Sequence, residues 1–415
     1  MRLILLLLAL ALAACGTSDP ATTAAAPPAR VDPSDVFFSR TPIPLLHIHI
    51  YPNNEQLLIT NPRGYAACTF TEAPALTTVP STAPSTAPAT MPVAVPTVYG
   101  AVQIKLKGSI GSFREYTDRP ALTLKMSQKA ESFHGLEKFH LNNSVQDEAC
   151  LNELLGSMIF RQANYPAARV THARVLVNNR DLGFYVLMEG LDKHFLKRYF
   201  PESSGNFYEG LSRRDIDGPL PLASGKGVED SSDLKGLVES CREPDREKRY
   251  ARIAQRLDVD LFLTFTALEQ MLVHWDGYNL NCNNYRIYFR PSDGRAVFIP
   301  HGMDQLFRTA GEPVLKTPPS LVGSAVLSNP AWNAQYRQRV RELLPLFAPE
   351  KLKAAIEEAE ARMRPVLLSY SQGRAKQFDA KVASLKRSVA GRQTYILAEL
   401  PVEPATRAAT TSAPK

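Results

Sequence analysis

The chain has 415 residues, of which 44% are hydrophobic and 21% charged, and its formal net charge is +7. This balance is typical of a globular protein with enough apolar residues for one large domain or two. The basic residues are spread along the chain without a Lys/Arg block, which argues against nucleic acid as a partner.

The first residues predict export. Arg2 is followed by an apolar run from Leu3 to Ala14, which is too short to cross a bilayer and is typical of a signal peptide. The run closes on LAAC, which looks like a bacterial lipobox. We therefore expect residues 1–14 to be removed and Cys15 to be acylated, so that the exported protein is lipid-anchored in the bacterial cell envelope. A plain secretory signal that is cut nearby is the alternative, and it also predicts export.

Residues 15–35 are rich in Ala, Thr and Pro and are predicted to form a flexible tether. Four further cysteines follow, at positions 68, 150, 241 and 282. In an oxidising compartment they can pair in three ways, and the sequence does not choose among them. Cys282 could be in a disulfide or remain a buried thiol.

The domain that follows the tether opens with segments that read as strands. LLHIHIY alternates apolar and polar residues, and QLLIT and YAACTFT continue the β-rich pattern. Between residues 74 and 97 repeated Pro and Thr interrupt this pattern. Because Pro stops helix and sheet alike, we expect a disordered insertion at the tip of a hairpin.

The segment KLKGSIGSFREYTDRPALTLKM reads as strand, glycine turn and strand. Gly108 and Gly111 would let the backbone approach a phosphate closely. Lys107 before the turn and Lys125 after it are both candidates to hold that phosphate. The alternative is an ordinary glycine turn without a ligand.

Helices and a second hairpin are predicted next. Residues 148–162 carry an apolar helical face, with Glu148 and Glu153 available to pair with a lysine, and Asp147 or Ser144 could cap the helix. THARVLVNN and FYVLMEG form a hairpin that ends at Glu189, whereas residues 211–249 are charged and predict a surface excursion. The chain should close with a helical hairpin over residues 346–400 and a disordered tail over residues 401–415.

The stretch HWDGYNLNCNNYRIYFRPSDGRAVFIPHGMDQLF predicts a metal and phosphate site. An apolar helix, DVDLFLTFTALEQMLVH, delivers Asp276, and a hairpin with a turn at Gly294 leads to Asp304. Mg²⁺ prefers carboxylate and other oxygen ligands, which makes Asp304 with Asn281 or Asn284 the candidate set. Protein kinases likewise place an Asn five residues after the catalytic Asp and a metal-binding Asp after a strand. An Asn-rich turn that caps its own backbone is the alternative.

Five segments in one order resemble the CotH kinase family, which has an atypical protein-kinase-like fold. They are the Lys107–Arg114 turn, FHGLEKFHLNN, VLVNNRDLGFYVLMEGLDKHFL, NNYRIY and IPHGMDQLF. The resemblance implies an α+β fold over residues 36–345, with a β-rich N-terminal part and a helical C-terminal part. It also implies ATP and Mg²⁺ as cofactors. The family's nucleotide-holding Lys on the strand after the turn is replaced by Arg119, which leaves Lys107 and Lys125 open.

The resemblance predicts a kinase that phosphorylates Ser or Thr of an envelope or extracellular protein. In that role Asp276 would orient and deprotonate the acceptor hydroxyl, and Asp304 would bind Mg²⁺. Glu153 would pair with the lysine that holds the nucleotide. Two alternatives use the same residues: a pseudo-kinase that serves as an envelope scaffold or adhesion module, and a metal-dependent phosphohydrolase with water as nucleophile.

Overall fold

The computed structural model describes residues 32–39, 42–74, 96–127, 131–225 and 231–400. The predicted signal peptide, the acylated Cys15, most of the tether, most of the Pro/Thr insertion and the C-terminal tail lie outside these residues. Within them no helix is both long enough and apolar enough to span a membrane.

A closed barrel of seven strands forms the N-terminal half. Its strands are β1 (Pro44–His49), β2 (Ala66–Pro74), β3 (Thr97–Lys107), β4 (Ala121–Met126), β5 (Lys138–Asn142), β6 (Val170–Val177) and β7 (Arg180–Glu189). The order around the barrel is β1-β2-β3-β4-β5-β7-β6. Neighbouring strands are antiparallel except for β1 and β6, whose parallel pairing closes the barrel. Alternating apolar side chains fill the interior, among them Leu46, Ile104 and Leu124.

Four short helices accompany the barrel: α1 (Pro33–Ser39), α2 (Pro52–Thr60), α3 (Asn152–Gln162) and α4 (Lys193–Tyr199). The prediction of a strand at QLLIT was wrong, since these residues lie in α2, where Pro52 occupies the first turn. Helix α3 begins four residues later than predicted because Cys150 has a positive φ of 55°. The N-cap residue is Leu151 and not Asp147 or Ser144, although the Asp147 carboxylate accepts a hydrogen bond from the backbone N–H of Asn152, the first residue of the helix, at 2.8 Å.

A second sheet of four strands lies beyond the barrel, in the order β11-β10-β8-β9. Its strands are β8 (Phe207–Glu209), β9 (Leu222–Ser224), β10 (Tyr285–Phe289) and β11 (Ala296–Pro300). The hairpin of β10 and β11 was predicted, and the glycine of its turn, Gly294, has the expected positive φ, 69°. This hairpin separates the two acidic loops of the candidate site.

Helices make up the C-terminal half. They are α5 (Ser232–Arg242), α6 (Arg246–Arg256), α7 (Val259–Met271), α8 (Tyr278–Asn281), α9 (Leu321–Leu327), α10 (Pro330–Leu343), α11 (Pro349–Tyr370) and α12 (Gln372–Glu399), with a 3-10 turn at Leu344–Phe347. As predicted, the last two helices pack on each other, with Arg364 paired to Asp379 and Lys386 to Glu360. Together these elements show a mixed α+β fold with a β-rich N-terminal and a helical C-terminal part, as predicted.

One apolar core extends from α3 through α7 to α11 and α12. Residues 211–249 contribute to this core, contrary to the prediction of a surface excursion. Leu234 and Leu237 of α5 are buried, as are Ile216 and Leu220 before it. The four cysteines within the described residues are unpaired thiols, and three of them are buried.

Candidate active site

A cavity of about 570 Å³ lies where the barrel meets the second sheet and the helical half. Four ionisable side chains reach it from four different parts of the fold. Lys107 comes from the end of β3, Glu153 from α3, Asp276 from the loop after α7, and Asp304 from the loop after β11. The site therefore forms only when both halves of the molecule are folded.

Helix α7 fixes the loop that carries Asp276. Most of the helix is buried, and its Glu269 caps the short helix α8 by accepting the backbone N–H groups of Tyr278 at 3.1 Å and Asn279 at 2.9 Å. Burial raises the pKa of Glu269 to about 8. A buried acid that holds two loop amides keeps the loop in one conformation, as a preorganised site requires.

Three asparagine amides surround the Asp276 carboxylate. Asn281 donates to Oδ1 at 2.6 Å, Asn284 donates to Oδ2 at 2.9 Å, and Asn283 donates to both oxygens at 3.1 Å. The neutral amides orient the carboxylate without a counter-charge. Because each amide donates to Asp276 through its nitrogen, its carbonyl oxygen is the atom that could bind a cation.

Asp304 is held against α3. Its backbone carbonyl accepts a hydrogen bond from Asn152 Nδ2 at 3.1 Å. At Gly156 of the same helix a Cβ would lie 2.8 Å from both Met303 Sδ and Leu306 Cδ1, so the two segments touch closely. Burial raises the pKa of Asp304 to about 6, and the charge of Lys107 partly offsets this effect.

Lys107 and Glu153 are linked through Asn142. Lys107 Nζ donates to Asn142 Oδ1 at 2.6 Å, and Asn142 Nδ2 donates to Glu153 Oε1 at 3.1 Å. Burial lowers the pKa of Lys107, whereas burial and the nearby Asp304 raise the pKa of Glu153; each of the two charges opposes the shift of the other. An anionic ligand would favour the charged form of the lysine.

The glycine turn between β3 and β4 borders the cavity, and both predicted glycines lie there. Gly108 has φ 102° and Gly111 has φ 87°. A Cβ at Gly108 would lie 3.1 Å from backbone atoms of Phe113. The turn thus depends on glycine for its conformation and, at Gly108, for its packing.

The structure does not bring Lys125 to the cavity. Its side chain is exposed on β4, and it is absent from the cavity lining. Arg119 is also absent from the lining; its guanidinium contacts the Phe184 carbonyl and lies over the Tyr185 ring at 5.1 Å. Of the two candidate lysines, only Lys107 faces the other site residues.

Sequence reasoning missed several side chains that line the cavity: Lys138, His140, Glu209, Arg286 and His301. Arg286 pairs with Glu209 at 2.5 Å. Burial, with the nearby cations, lowers the pKa of both histidines well below the ordinary value, so both are neutral. Arg286 and His301 could have been recognised from the sequence because they lie in NNYRIY and IPHGMDQLF, the segments that contain Asn284 and Asp304.

The cavity lining supplies oxygen atoms of the kind that Mg²⁺ binds. The described ranges contain no group of three or more His, Cys, Asp or Glu side chains placed to hold a metal. Mg²⁺ needs only one or two carboxylates because substrate phosphates and waters complete its shell. Glu153 Oε2 and Asn152 Oδ1 are buried oxygens without a hydrogen-bond partner among the described residues. Asp304 and the carbonyl oxygens of Asn281 and Asn284 are the predicted ligands.

Four residues other than glycine in or next to the two acidic loops have a left-handed backbone. Val273, Cys282, Asn284 and Phe307 have φ between 47° and 55°. This left-handed region is uncommon for residues other than glycine and unusual for a β-branched valine. Such conformations persist where the surrounding structure imposes them, and they cluster at functional sites.

The family match identifies a kinase-like protein. The chain belongs to the CotH kinase family, because the family model described as CotH kinase protein matches residues 104–397. The match extends through most of α12, beyond residue 345, where we expected the kinase-like domain to end.

Several known proteins are similar to this chain. Inner spore coat protein H of Bacillus subtilis is 20% identical over 289 residues, which cover 64% of this chain and 79% of that protein. Invasin CotH2 of Rhizopus delemar is 24% identical over 191 residues, which cover 41% of this chain and 32% of the invasin. Among solved structures, the Helicobacter pylori proinflammatory kinase CtkA aligns with 67% of this chain and 95% of its own, with 8% identity and a TM-score of 0.33.

Proposed function

We propose that the protein is an exported, lipid-anchored kinase. It would transfer the γ-phosphoryl group of Mg²⁺-ATP to a serine or threonine of an envelope or extracellular protein. One observation carries this proposal: Lys107, Glu153, Asp276 and Asp304 converge on a single cavity that a glycine turn borders. Export and anchoring depend on the N-terminal sequence alone.

Each side chain has a role that follows from its surroundings. Lys107, kept in place by its hydrogen bond to Asn142, binds phosphate oxygens. Asp276 is oriented by three asparagine amides, and the hydroxyl of the acceptor residue replaces one of these amides as a hydrogen-bond donor to the carboxylate. When bound, Mg²⁺ neutralises the charge that develops on the phosphates, with Asp304 and the amide oxygens as its protein ligands. Phosphoryl transfer requires mainly positioning and charge neutralisation, which this set supplies.

A scaffold without catalysis is the second candidate. Lys107 reaches Glu153 only through Asn142 and not by a direct ion pair. Two of the similar proteins are named for a spore coat and for invasion. In this alternative the fold would serve as an envelope or adhesion module that binds nucleotide weakly or not at all.

Substitution of the two acids separates these candidates. Asp304→Asn removes a metal ligand, so we expect Mg²⁺-dependent ATP affinity to fall in calorimetry. Asp276→Asn should leave ATP binding intact and reduce transfer by about a hundred- to ten-thousand-fold in a radiolabel assay, the usual contribution of a general base. If folded wild-type protein neither binds Mg²⁺-ATP nor transfers phosphate, the kinase proposal is wrong and the scaffold remains.

A further inference from the structure

Three side chains form a surface at the rim of the cavity: the Trp275 indole, the Gln305 amide and the Arg308 guanidinium. We call this surface the ledge. Trp275 directly precedes Asp276, and Gln305 directly follows Asp304. The Arg308 guanidinium lies 5.0 Å from the centroid of the Trp275 ring, and its Nη1 lies 3.4 Å from Gln305 Oε1. The ledge therefore connects the two acidic loops.

Arg308 has no acidic partner in the part of the chain that the structure describes. No carboxylate of those residues lies within ion-pair distance of its guanidinium, and the side chain is exposed. Stacking on the indole restricts the guanidinium, so less entropy is lost when its free N–H groups bind an anion. A planar guanidinium in this state suits a carboxylate, which it can bind through two parallel hydrogen bonds.

The position of Arg308 favours the acceptor protein over the nucleotide. Trp275 and Gln305 line the cavity, whereas Arg308 is absent from the lining and is exposed to solvent. Inside the cavity, Lys107, Lys138 and Arg286 already supply positive charge for phosphates. A ligand that reaches both Asp276 and Arg308 must extend out of the cavity over Trp275, as a peptide segment would.

We propose that the ledge selects acceptor segments with an acidic residue near the phosphorylated serine or threonine. The carboxylate binds Arg308 while the hydroxyl faces Asp276. This inference rests on the proposed kinase function for its biological meaning, but the docking of an acidic peptide can be measured without transfer.

The test uses peptides with one serine in a neutral background. In one set a single glutamate is moved through the positions that flank the serine, and a matched set has glutamine at the same positions. The chain contains two tryptophans, so Trp332→Phe leaves Trp275 as the only indole and its fluorescence reports binding. In this background Arg308→Gln is compared with Arg295→Gln. Arg295 is an exposed arginine beside the β10–β11 turn, 3.9 Å from Asp293, and its substitution makes the same charge change.

We expect glutamate at one position to strengthen binding about three- to tenfold over glutamine, as exposed ion pairs with good geometry do. Arg308→Gln should abolish this preference, Arg295→Gln should retain it, and added salt should weaken it. In transfer assays the same preference should appear in the peptide KM, with the ATP KM unchanged. Equal binding of glutamate and glutamine peptides at every position, or a preference that survives Arg308→Gln, would overturn the proposal. Selective binding without any transfer would confirm the ledge and reject the kinase.

Discussion

Lys107 and Lys125 lie on neighbouring strands of the barrel, yet they face different surroundings. In the β3–β4 pairing, Lys107 is opposite Ala121 and Lys125 is opposite Gln103, at the far end of the ladder from the glycine turn. Only Lys107 is near Asn142, Glu153 and the two acids. Substitution of each lysine in turn can therefore show which one holds a ligand, with the other as its control.

Lys107→Met should weaken ATP binding about ten- to a hundredfold, because a buried charged hydrogen bond to phosphate is lost. Lys125→Met removes the same charge from an exposed position and should leave ATP affinity unchanged. Calorimetric titration of both variants with Mg²⁺-ATP measures the difference. Equal effects of the two substitutions would contradict the assignment of Lys107.

The sequence predicted Asp276 and Asp304, which both line the cavity, but it did not choose between the two candidate lysines. Asp276 and Asp304 were recognisable because each follows an apolar helix or strand and is flanked by amides or glycine in a short motif. The choice between Lys107 and Lys125 depends on strand register and on the side of the sheet that faces Glu153, which one sequence does not contain. Asn142 and Arg286 were missed for the same reason, since each contacts a residue of a different strand: Lys107 for Asn142 and Glu209 for Arg286.

At the scale of elements, the turn of the β10–β11 hairpin and the loop that follows it each contain a glycine with positive φ, and the two glycines differ in their surroundings. Gly294 in the turn has φ 69°, and a Cβ added there would meet nothing within 4 Å. Gly302 after β11 has φ 56°, and its Cβ would lie 2.4 Å from Asn284 Oδ1. Asn284 is one of the residues that orient Asp276.

Gly294→Ala should therefore lower stability by about 1 kcal/mol, the ordinary cost of a left-handed alanine, and leave transfer unchanged. Gly302→Ala carries the same backbone cost and must also displace Asn284, so its melting temperature should fall further and transfer should decrease. Thermal unfolding and the radiolabel assay measure both effects. Transfer that is equal in the two variants would show that the position of Asn284 is unimportant.

Secondary structure was predictable where periodicity and end signals agreed. The β10–β11 hairpin, α7 and the last two helices followed from such agreement. Helix α2 was missed because Leu57, Leu58 and Ile59 are consecutive and carry no clear period, although Pro52 and Glu55 in its first turn are helix signals. Helix α5 was missed because its charged residues obscured Leu234, Leu237 and Cys241, which have helical spacing and are buried.

At the scale of the whole molecule, a buried histidine connects the barrel to the helical half. His172 of β6 lies with Nε2 2.8 Å from the Cys150 carbonyl and Nδ1 3.0 Å from Arg362 Nη2 of α11. Burial and the charge of Arg362 lower the pKa of His172 from 6.5 to about 3. The folded protein thus keeps this imidazole neutral at pH values where the unfolded chain protonates it.

This difference predicts a pH dependence of stability. Above pH 6.5 the imidazole is neutral in both states; as the pH falls from 6.5 towards 3, only the unfolded state gains the proton and stability decreases. For one such group, the free energy of unfolding changes by roughly 1 kcal/mol per pH unit. Buried carboxyl groups with raised pKa, such as Glu269, have the opposite effect: they bind protons in the folded state and increase stability as the pH falls. The comparison of wild type with His172→Gln isolates the histidine.

We expect the melting temperature of the wild type to fall more steeply between pH 6.5 and pH 4 than that of His172→Gln. Glutamine can still donate to the Cys150 carbonyl and accept from Arg362, but it does not titrate. Thermal unfolding over this pH range checks the prediction. Parallel curves for the two proteins would show that His172 is not protonated on unfolding.

The parallel pairing of β1 with β6 has a consequence for the order in which the molecule forms. The backbone N–H of Ile50 donates to Asn178 Oδ1 at 2.8 Å, across 128 residues of chain. During synthesis β1 is made early and has no second neighbour until β6 has left the ribosome. Contacts this distant in sequence form slowly, and an unpaired edge strand can pair with other chains in the meantime. A chain interrupted before Asn178 would lack the complete β1–β6 pairing that closes the barrel, and its sheet would keep an open, aggregation-prone edge.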